Sequence, residues 1–212
     1  MKKTTFWLFF LMINLYCAAS ANYYVSTIGS DSNPGTQTLP WKTIQKAANT
    51  MIAGDTAIVL EGNYSERVNI GRSGSLNLPI TFQSQGTVVN KGFSINANYI
   101  IIKNFEITNT EYVNYWSYSL SSGIFIKGAS NVIENNYIHD ASLIGIFIYG
   151  TPSEATLSHD NVIRNNRLYR NQDTGINLAG RDNLIIGNEI WDTVQCHPLV
   201  MAVESCEGAN AK

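Results

Sequence analysis

The side chains of this 212-residue chain that can do chemistry gather in its second half. Lys127 stands near the end of a glycine-led apolar stretch, GIFIKG, and Tyr149 holds the matching place in the next, GIFIYG. An outward lysine can serve as a general base, and it can equally be a solvated edge group. Asp140, Asp173 and Asp192 sit in turns, where carboxylates can lend oxygens to a hard cation such as Ca²⁺, Asp173 most readily. Tyr112, Tyr115, Trp116 and Tyr118 crowd into NTEYVNYWSYSLSS, and flat rings of this kind suit the apolar face of a sugar. The alternative is that they fold down on the protein wall as a small satellite core. His139, His159 and His197 lack metal-ligand spacing, and the chain has no nucleophile elbow, phosphate loop or CxxC pair.

What must position these residues is a repeat. GFSINA from Gly92, GIFIKG from Gly123, GIFIYG from Gly145 and GINLAG from Gly175 alternate apolar residues with others. Each leads into a second apolar stretch: YIIIKNFEI, NVIENNYI, NVIRNNRL and NLIIGNEI. The step from glycine to the last apolar residue is 15 in three copies and 23 in the copy from Gly145. Period-two alternation broken by Gly and Asn is a strand signal, and no copy has room for a helix. A unit of 22 residues with loops let into it is a solenoid. The expected fold is an all-β right-handed parallel β-helix with three short strands per coil, coils stacked about 4.8 Å apart. One inward column runs Ile107, Ile138, Leu168, Ile190. Another column, Asn136, Asn166, Asn188, falls in a turn, where asparagine tolerates left-handed backbone and its amide can bond the copies above and below.

If the glycine-led stretches are first strands, their outward residues are Ser94/Asn96, Phe125/Lys127, Phe147/Tyr149 and Asn177/Ala179. Two departures flank that face: nine extra residues within Thr108–Ser122, and eight within 151–160. Loops on a rigid solenoid commonly carry binding. Asp140, Arg170 and Asp192 form an acid–base–acid column, well explained as a surface ion-pair ladder. His139, Tyr169 and Trp191 form a column that suits surface packing.

The front of the chain has its own signals. Lys2 and Lys3, then FWLFFLMINLY, then Ala19-Ser20-Ala21 have the make-up of a secretory signal cleaved after Ala21. The apolar run is short for a membrane span, and a lipoprotein reading through Cys17 is the weaker one. Export to the periplasm or beyond follows. The mature chain keeps 12 basic and 16 acidic residues, a net charge near −4, which is no footprint for nucleic acid. Cys196 and Cys206 remain, and a straight strand between them would hold them apart as free thiols. Thr43 to Ile52 places Ile44, Ala47, Ala48, Met51 and Ile52 on one helical face, ended by Gly54. Such a helix, within an N-terminal region 22–54, is suited to plug the apolar bore of a solenoid over 55–212. After Ile190 the pattern stretches: Leu199, Met201 and Val203 allow one more first strand. SCEGANAK then stops in mid-coil, as expected of a truncated chain.

YYVSTIGSDSNPGT…PWKTIQKAAN…AGDTAIVLEGNYSERV…LPITFQS resembles the N-terminal region of secreted pectate-lyase-like β-helix proteins, most of all polysaccharide lyase family nine. Alginate and chondroitin lyases share its GNY…PITF character. The resemblance covers about residues 23–110, with generic β-helix repeats after it. It implies a groove along the first-strand face, an acidic polysaccharide as substrate, β-elimination as reaction, and Ca²⁺ held by carboxylates. On this chain that makes Lys127 the candidate base and Asp173 and Asp192 the candidate metal ligands. Tyr112, Tyr115, Trp116, Tyr118, Tyr149 and Asn177 become the candidate substrate contacts. NQDTGINL resembles a coil just before that family's calcium and lysine region, and Glu204, Glu207 and Lys212 are all that follows. Two other expectations stand beside it. One is a non-catalytic β-helix that binds polysaccharide; the other is a glycoside hydrolase, which requires paired carboxylates that no local pattern supplies.

Overall fold

A computed structural model describes residues 20–111, 113, 117–150 and 158–193. Strand β1 (Asn22–Val25) leads through a turn-rich stretch to helix α1 (Ile44–Thr50) and strand β2 (Thr56–Tyr64). Then come β3 (Val68–Ile70), β4 (Ile80–Asn90), β5 (Phe93–Ile95), β6 (Ile100–Lys103) and β7 (Glu106–Ile107). A one-turn helix α2 (Tyr118–Ser121) precedes β8 (Ile124–Ile126), β9 (Val132–Glu134) and β10 (Tyr137–His139). The last coils hold β11 (Ile144–Ile148), β12 (Val162–Arg164), β13 (Arg167–Tyr169), β14 (Thr174–Leu178), β15 (Leu184–Ile186) and β16 (Glu189–Trp191).

Every one of these strand pairs is parallel. First strands stack in the order β14-β11-β8-β5-β3. Second strands stack as β15-β12-β9-β6 and third strands as β16-β13-β10-β7, and the long β4 spans the corner that joins the two stacks. Among the described residues this is the expected parallel β-helix.

The bore follows from the inward alternation. Phe93, Ile124 and Ile146 lie in register and are fully buried, as are Ile95, Ile126 and Ile148 beside them. Ile107, Ile138 and Leu168 make the predicted third-strand column, which ends at half-exposed Ile190. Each fully buried Ile or Leu contributes about 1.5–3 kcal/mol of burial, so one coil's inward set outweighs any single surface interaction.

Three corners per coil are made the same way. The left-handed residues are Ser130, Asn135 and Asp140 in one coil, Asp160, Asn165 and Arg170 in the next, and Asp182, Gly187 and Asp192 in the third. The ladder asparagines are therefore not the left-handed ones: Asn136, Asn166 and Asn188 each follow the left-handed residue by one position. Their amides bond from coil to coil: Asn136 Nδ2 donates to Asn166 Oδ1 at 3.0 Å, and Asn166 Nδ2 to Asn188 Oδ1 at 2.9 Å. A second ladder, Asn131–Asn161–Asn183, holds the corner between first and second strands in the same fashion. Side chain and backbone both find partners there, which is what a buried corner demands.

Helix α1 caps the near end of the bore. Thr43 accepts the N–H of Lys46, Asp31 accepts those of Lys42 and Thr43, and Glu66 accepts those of Ile44 and Gln45. Ile44, Ala47, Ala48 and Met51 are buried, but Ile52 is not on their face. Its residue lies past the helix end, its N–H bonded to Asp55, and its side chain is 44 % exposed. Among the described residues no helix is long and apolar enough to cross a membrane. The signal-type stretch up to residue 19 lies outside the described residues, as do Cys196, His197, Leu199, Met201, Val203, Glu204, Cys206, Glu207 and Lys212.

Candidate functional site

First strands put two columns on the outer face. Ser94, Phe125, Phe147 and Asn177 are in register on β5, β8, β11 and β14. One step along each strand end, Asn96, Lys127, Tyr149 and Ala179 follow, joined by backbone bonds from Lys127 to Ile95, Tyr149 to Ile126, and Ala179 to Ile148. The sequence places both columns correctly, yet they do not share the same surroundings.

The first column is roofed. Helix α2 lies over it, so Ser94 is 2 % exposed and Phe125 and Phe147 are 7 % exposed each. Tyr118 meets Phe147 edge-on at 4.9 Å, and Phe125, Leu143, Ile144 and Phe147 form a second apolar cluster outside the bore. Tyr118 thus packs on this cluster. Tyr112, Tyr115 and Trp116 lie outside the described residues.

The second column stays open. Asn96, Tyr118, Ser119, Phe125, Lys127 and Tyr149 line a cavity of about 340 Å³. Lys127 Nζ sits 5.4 Å from the centre of the Tyr149 ring, and that ring packs against both phenylalanines at 5.6 and 5.8 Å. The arrangement offers one cation, ring faces and edges, an amide and a hydroxyl to a ligand. Asn177 belongs to the roofed column's register, two coils from Ser94's neighbour Phe125, and does not line the cavity.

Asp173 and Asp192 are not brought to Lys127. Ala179 is level with Lys127 in the stack, and Asp173 precedes Ala179 by six residues. At about 3.3 Å per strand residue this leaves roughly 20 Å between the two levels. Asp173 instead accepts a bond from Thr174. Asp192 occupies the corner after β16, on a different side of the coil. Among the described residues no three His, Cys, Asp or Glu side chains converge as a metal cage would require. No step below is routed through a metal.

The acid–base–acid column forms only by half. Arg170 Nε and Nη2 donate to Asp140 Oδ1 at 2.9 and 2.7 Å, whereas Asp192 has no ion pair among the described residues. His139 Nδ1 lies 2.6 Å from Asp140 and Nε2 lies 3.2 Å from Glu106. Desolvation pushes the Asp140 carboxyl up, but the bonds from His139 and Arg170 outweigh it and hold it below the usual carboxylate range. His139, Tyr169 and Trp191 are in register as expected, with Tyr169 and Trp191 rings 5.4 Å apart. All three are half-buried in the outer wall of the coil. His159 pairs with Asp160 at 2.7 Å, apart from the others.

One residue beside the site had no place in the sequence reading. Arg67, just before β3, runs under the first-strand face: Nε donates to Ser94 Oγ, Nη1 to the carbonyls of Ser122 and Lys91, and Nη2 to that of Phe93. These acceptors are neutral, and desolvation pulls the guanidinium down to about 9, still charged at neutral pH. The signal that could have found it is Gly92. Val68 pairs with Phe93, so Arg67 is level with Gly92, and a Cβ there would lie 2.6 Å from Arg67 Nη1 and 2.2 Å from the Gly123 carbonyl.

Parallel coils, an N-terminal cap and a first-strand cavity define a pectate-lyase-like β-helix. The chain belongs to the family described as Pel9A-like, right-handed β-helix region, whose model matches residues 23–184. The uncharacterized protein YwoF of Bacillus subtilis (strain 168) is 31 % identical over 147 residues, which cover 66 % of this chain and 28 % of YwoF. Among solved structures, pectate lyase Pel9A superposes with a TM-score of 0.67 at 21 % identity, covering 81 % of this chain and 48 % of that one. A rhamnogalacturonan lyase gives 0.58 at 20 % identity over 81 % and 52 %. The GH136 lacto-N-biosidase of Eubacterium ramulus gives 0.54 at 16 % identity over 74 % and 36 %. This chain thus spans 28 % of the curated relative and about a third to a half of these structures. At such identities the structural likeness is one of fold.

Proposed function

We propose that this chain is an exported, carbohydrate-active β-helix whose first-strand face recognises an acidic polysaccharide, as part of a lyase-type protein. The observation that carries the reading is the open cavity where the Lys127 ammonium lies over the Tyr149 ring, with Tyr118, Phe125, Asn96 and Ser119 around it. Family membership supports the reaction class, and the amino-terminal stretch supports export. In that reaction a base takes the proton beside the uronate carboxylate. The bond to oxygen on the next carbon breaks, leaving a carbon–carbon double bond, and the departing oxygen gains a proton from water. Lys127 is the proposed base.

A second reading has its own support. The Lys127 side chain over the Tyr149 ring, with an amide and hydroxyls beside it, also suits holding a sugar carboxylate in place. On that reading the face binds and does not cleave.

An ultraviolet assay separates the two. The chain is incubated with polygalacturonate, alginate and chondroitin sulfate, with Ca²⁺ and with chelator, and binding is measured on the same samples. Rising near-ultraviolet absorbance, lost in Lys127→Ala, is the result expected of a lyase. Binding without absorbance change, weakened about tenfold in Lys127→Ala, identifies the binding face. Absence of both from folded protein overturns the proposal.

A further inference from the structure

The roof over the first column and the open cavity beside it meet at α2. It has one turn, and Ser117 at its start makes no side-chain capping bond. Within its own coil Thr110 Oγ1 donates to the Ser121 carbonyl and the Val113 N–H to Ser121 Oγ, and the Tyr118 ring packs on Phe147. A further set of bonds comes from two coils away. Arg67 Nη1 donates to the Ser122 carbonyl at 2.6 Å, just past the helix end. Arg67 Nε donates to Ser94 Oγ at 3.0 Å, and Ser94 Oγ in turn donates to the Ser119 carbonyl at 2.5 Å, inside the helix. The remaining bonds of the guanidinium, to Lys91 and Phe93, fix it to the strand beneath. A planar fork of donors is suited to spanning several oxygens at once, and a lysine ammonium is not. Gly92 has φ 112° and no side chain, which is the clearance this guanidinium needs.

We propose that Arg67 is the positioning residue of the first-strand site: it pins α2 over Ser94, Phe125 and Phe147, so that ligand meets a walled pocket at Lys127 and Tyr149 and not an open strip of two columns. This rests on the reading of that face as a uronate-binding surface. Arg67 touches no ligand. It acts through Ser94 and the Ser119 and Ser122 carbonyls, and what it fixes is the wall made by Tyr118 and Ser119. The consequence is one of selectivity: short uronate oligomers that fit the pocket depend on the wall, and longer ones gain the uncovered strip when the wall is loosened.

The test pairs hydrogen exchange with binding, on wild type, Arg67→Gln, Arg67→Lys and Ser94→Ala. Exchange at residues 117–123 is expected to rise at least tenfold in Arg67→Gln, while β5, β8 and β11 keep their protection. Arg67→Lys recovers part of it, and Ser94→Ala, which removes the Ser119 link and the Arg67 Nε acceptor but leaves the Arg67–Ser122 bond, reproduces part of it should Arg67→Gln fail to fold. Digalacturonate affinity falls about tenfold, and that of a long galacturonan oligomer falls less. Unchanged exchange at 117–123, or an equal rise across all three strands, overturns the clamp. Equal losses for the short and long ligands, or no loss, overturn its role in selectivity. A wild type that binds no galacturonan retires the uronate reading and the selectivity claim with it, and the exchange data then decide the clamp by themselves.

Discussion

The corner between second and third strands and the corner between third and first strands share a backbone kink and differ in how faithfully they repeat: the second has one asparagine of the ladder kind, Asn171, where the first has a column of them. Both place a residue at positive φ in coil after coil: Asn135 and Asn165 at one, Asp140 and Arg170 at the other. At the first corner the next residue is a buried asparagine whose amide bonds its copies, and the chain passes with no insertion. At the second corner the copies diverge, into Asp140 paired with Arg170 in one place and the α2 insertion in another. A corner that must bury polar backbone has one economical solution and repeats it. The other corner buries Ala141 and Asn171 too, but varies in the stretch that leads on to the first strand, and there its extra length can make a wall over the first-strand face.

The largest expected effect falls on the repeating corner. Asn166 is fully buried, accepts the N–H and amide of Asn136, and donates to Asn188 and the Ile133 carbonyl. Asn166→Ala leaves the Asn136 N–H and the Ile133 carbonyl short of partners inside the protein. A cost of about 3 kcal/mol is expected, read as a fall of about 10 °C in thermal midpoint for a chain of this size. A shift under 2 °C would break the contrast, showing that the ladder amides are replaceable by water.

That same contrast decided how much could be read from residues alone. The bore and the ladder were legible because one residue type does one job at fixed spacing: Ile107, Ile138 and Leu168 inward, and Asn136, Asn166 and Asn188 at the corner. The left-handed role was misplaced by one residue because Asn135 and Asn165 adjoin their ladder partners, and composition cannot tell adjacent asparagines apart. The outward columns were legible too. That one column is roofed was not, because α2 is a single turn bonded by Arg67, a residue more than fifty positions earlier. Lys127 and Tyr149 could be paired from the sequence because each follows its first strand by one residue in stacked, matching positions, while Asp173 precedes a first strand and Asp192 follows a third, so no shared register links them.

Tyr118 tests the variable corner at intermediate size. Its ring contributes an edge contact to Phe147 and one wall of the cavity. Tyr118→Ala should cost about 1 kcal/mol of stability, the scale of an aromatic pair, and lower uronate-oligomer affinity by about tenfold. Calorimetric melts and titration on one sample check both. A stability loss as large as that of Asn166→Ala, with affinity kept, would make the roof part of the scaffold and erase the distinction between the corners.

The smallest effect is expected at Asp140 and Arg170, an exposed pair on the same variable corner. At neutral pH, Arg170→Ala should melt within scatter of wild type, since solvent screens such pairs. The pH dependence is the sharper reading. Desolvation raises the Asp140 carboxyl, the bonds from His139 and Arg170 lower it more, and the net displacement is downward from its ordinary 3.8. Above that ordinary value the native state gains the full benefit of the charged carboxylate. As pH falls through the lowered native value the carboxylate takes up its proton and the benefit is lost. Wild type should therefore shed a small increment of stability below about pH 4, and Arg170→Ala, with less displacement to lose, should shed less. His139 and, through it, Glu106 face the same carboxylate, so His139→Gln on the Arg170→Ala background separates their shares. Thermal midpoints from pH 7 to pH 2 check this, with the two curves converging at the acid end. Curves that stay parallel throughout would mean that Arg170 does nothing for Asp140, and that this corner is held by the backbone kink alone.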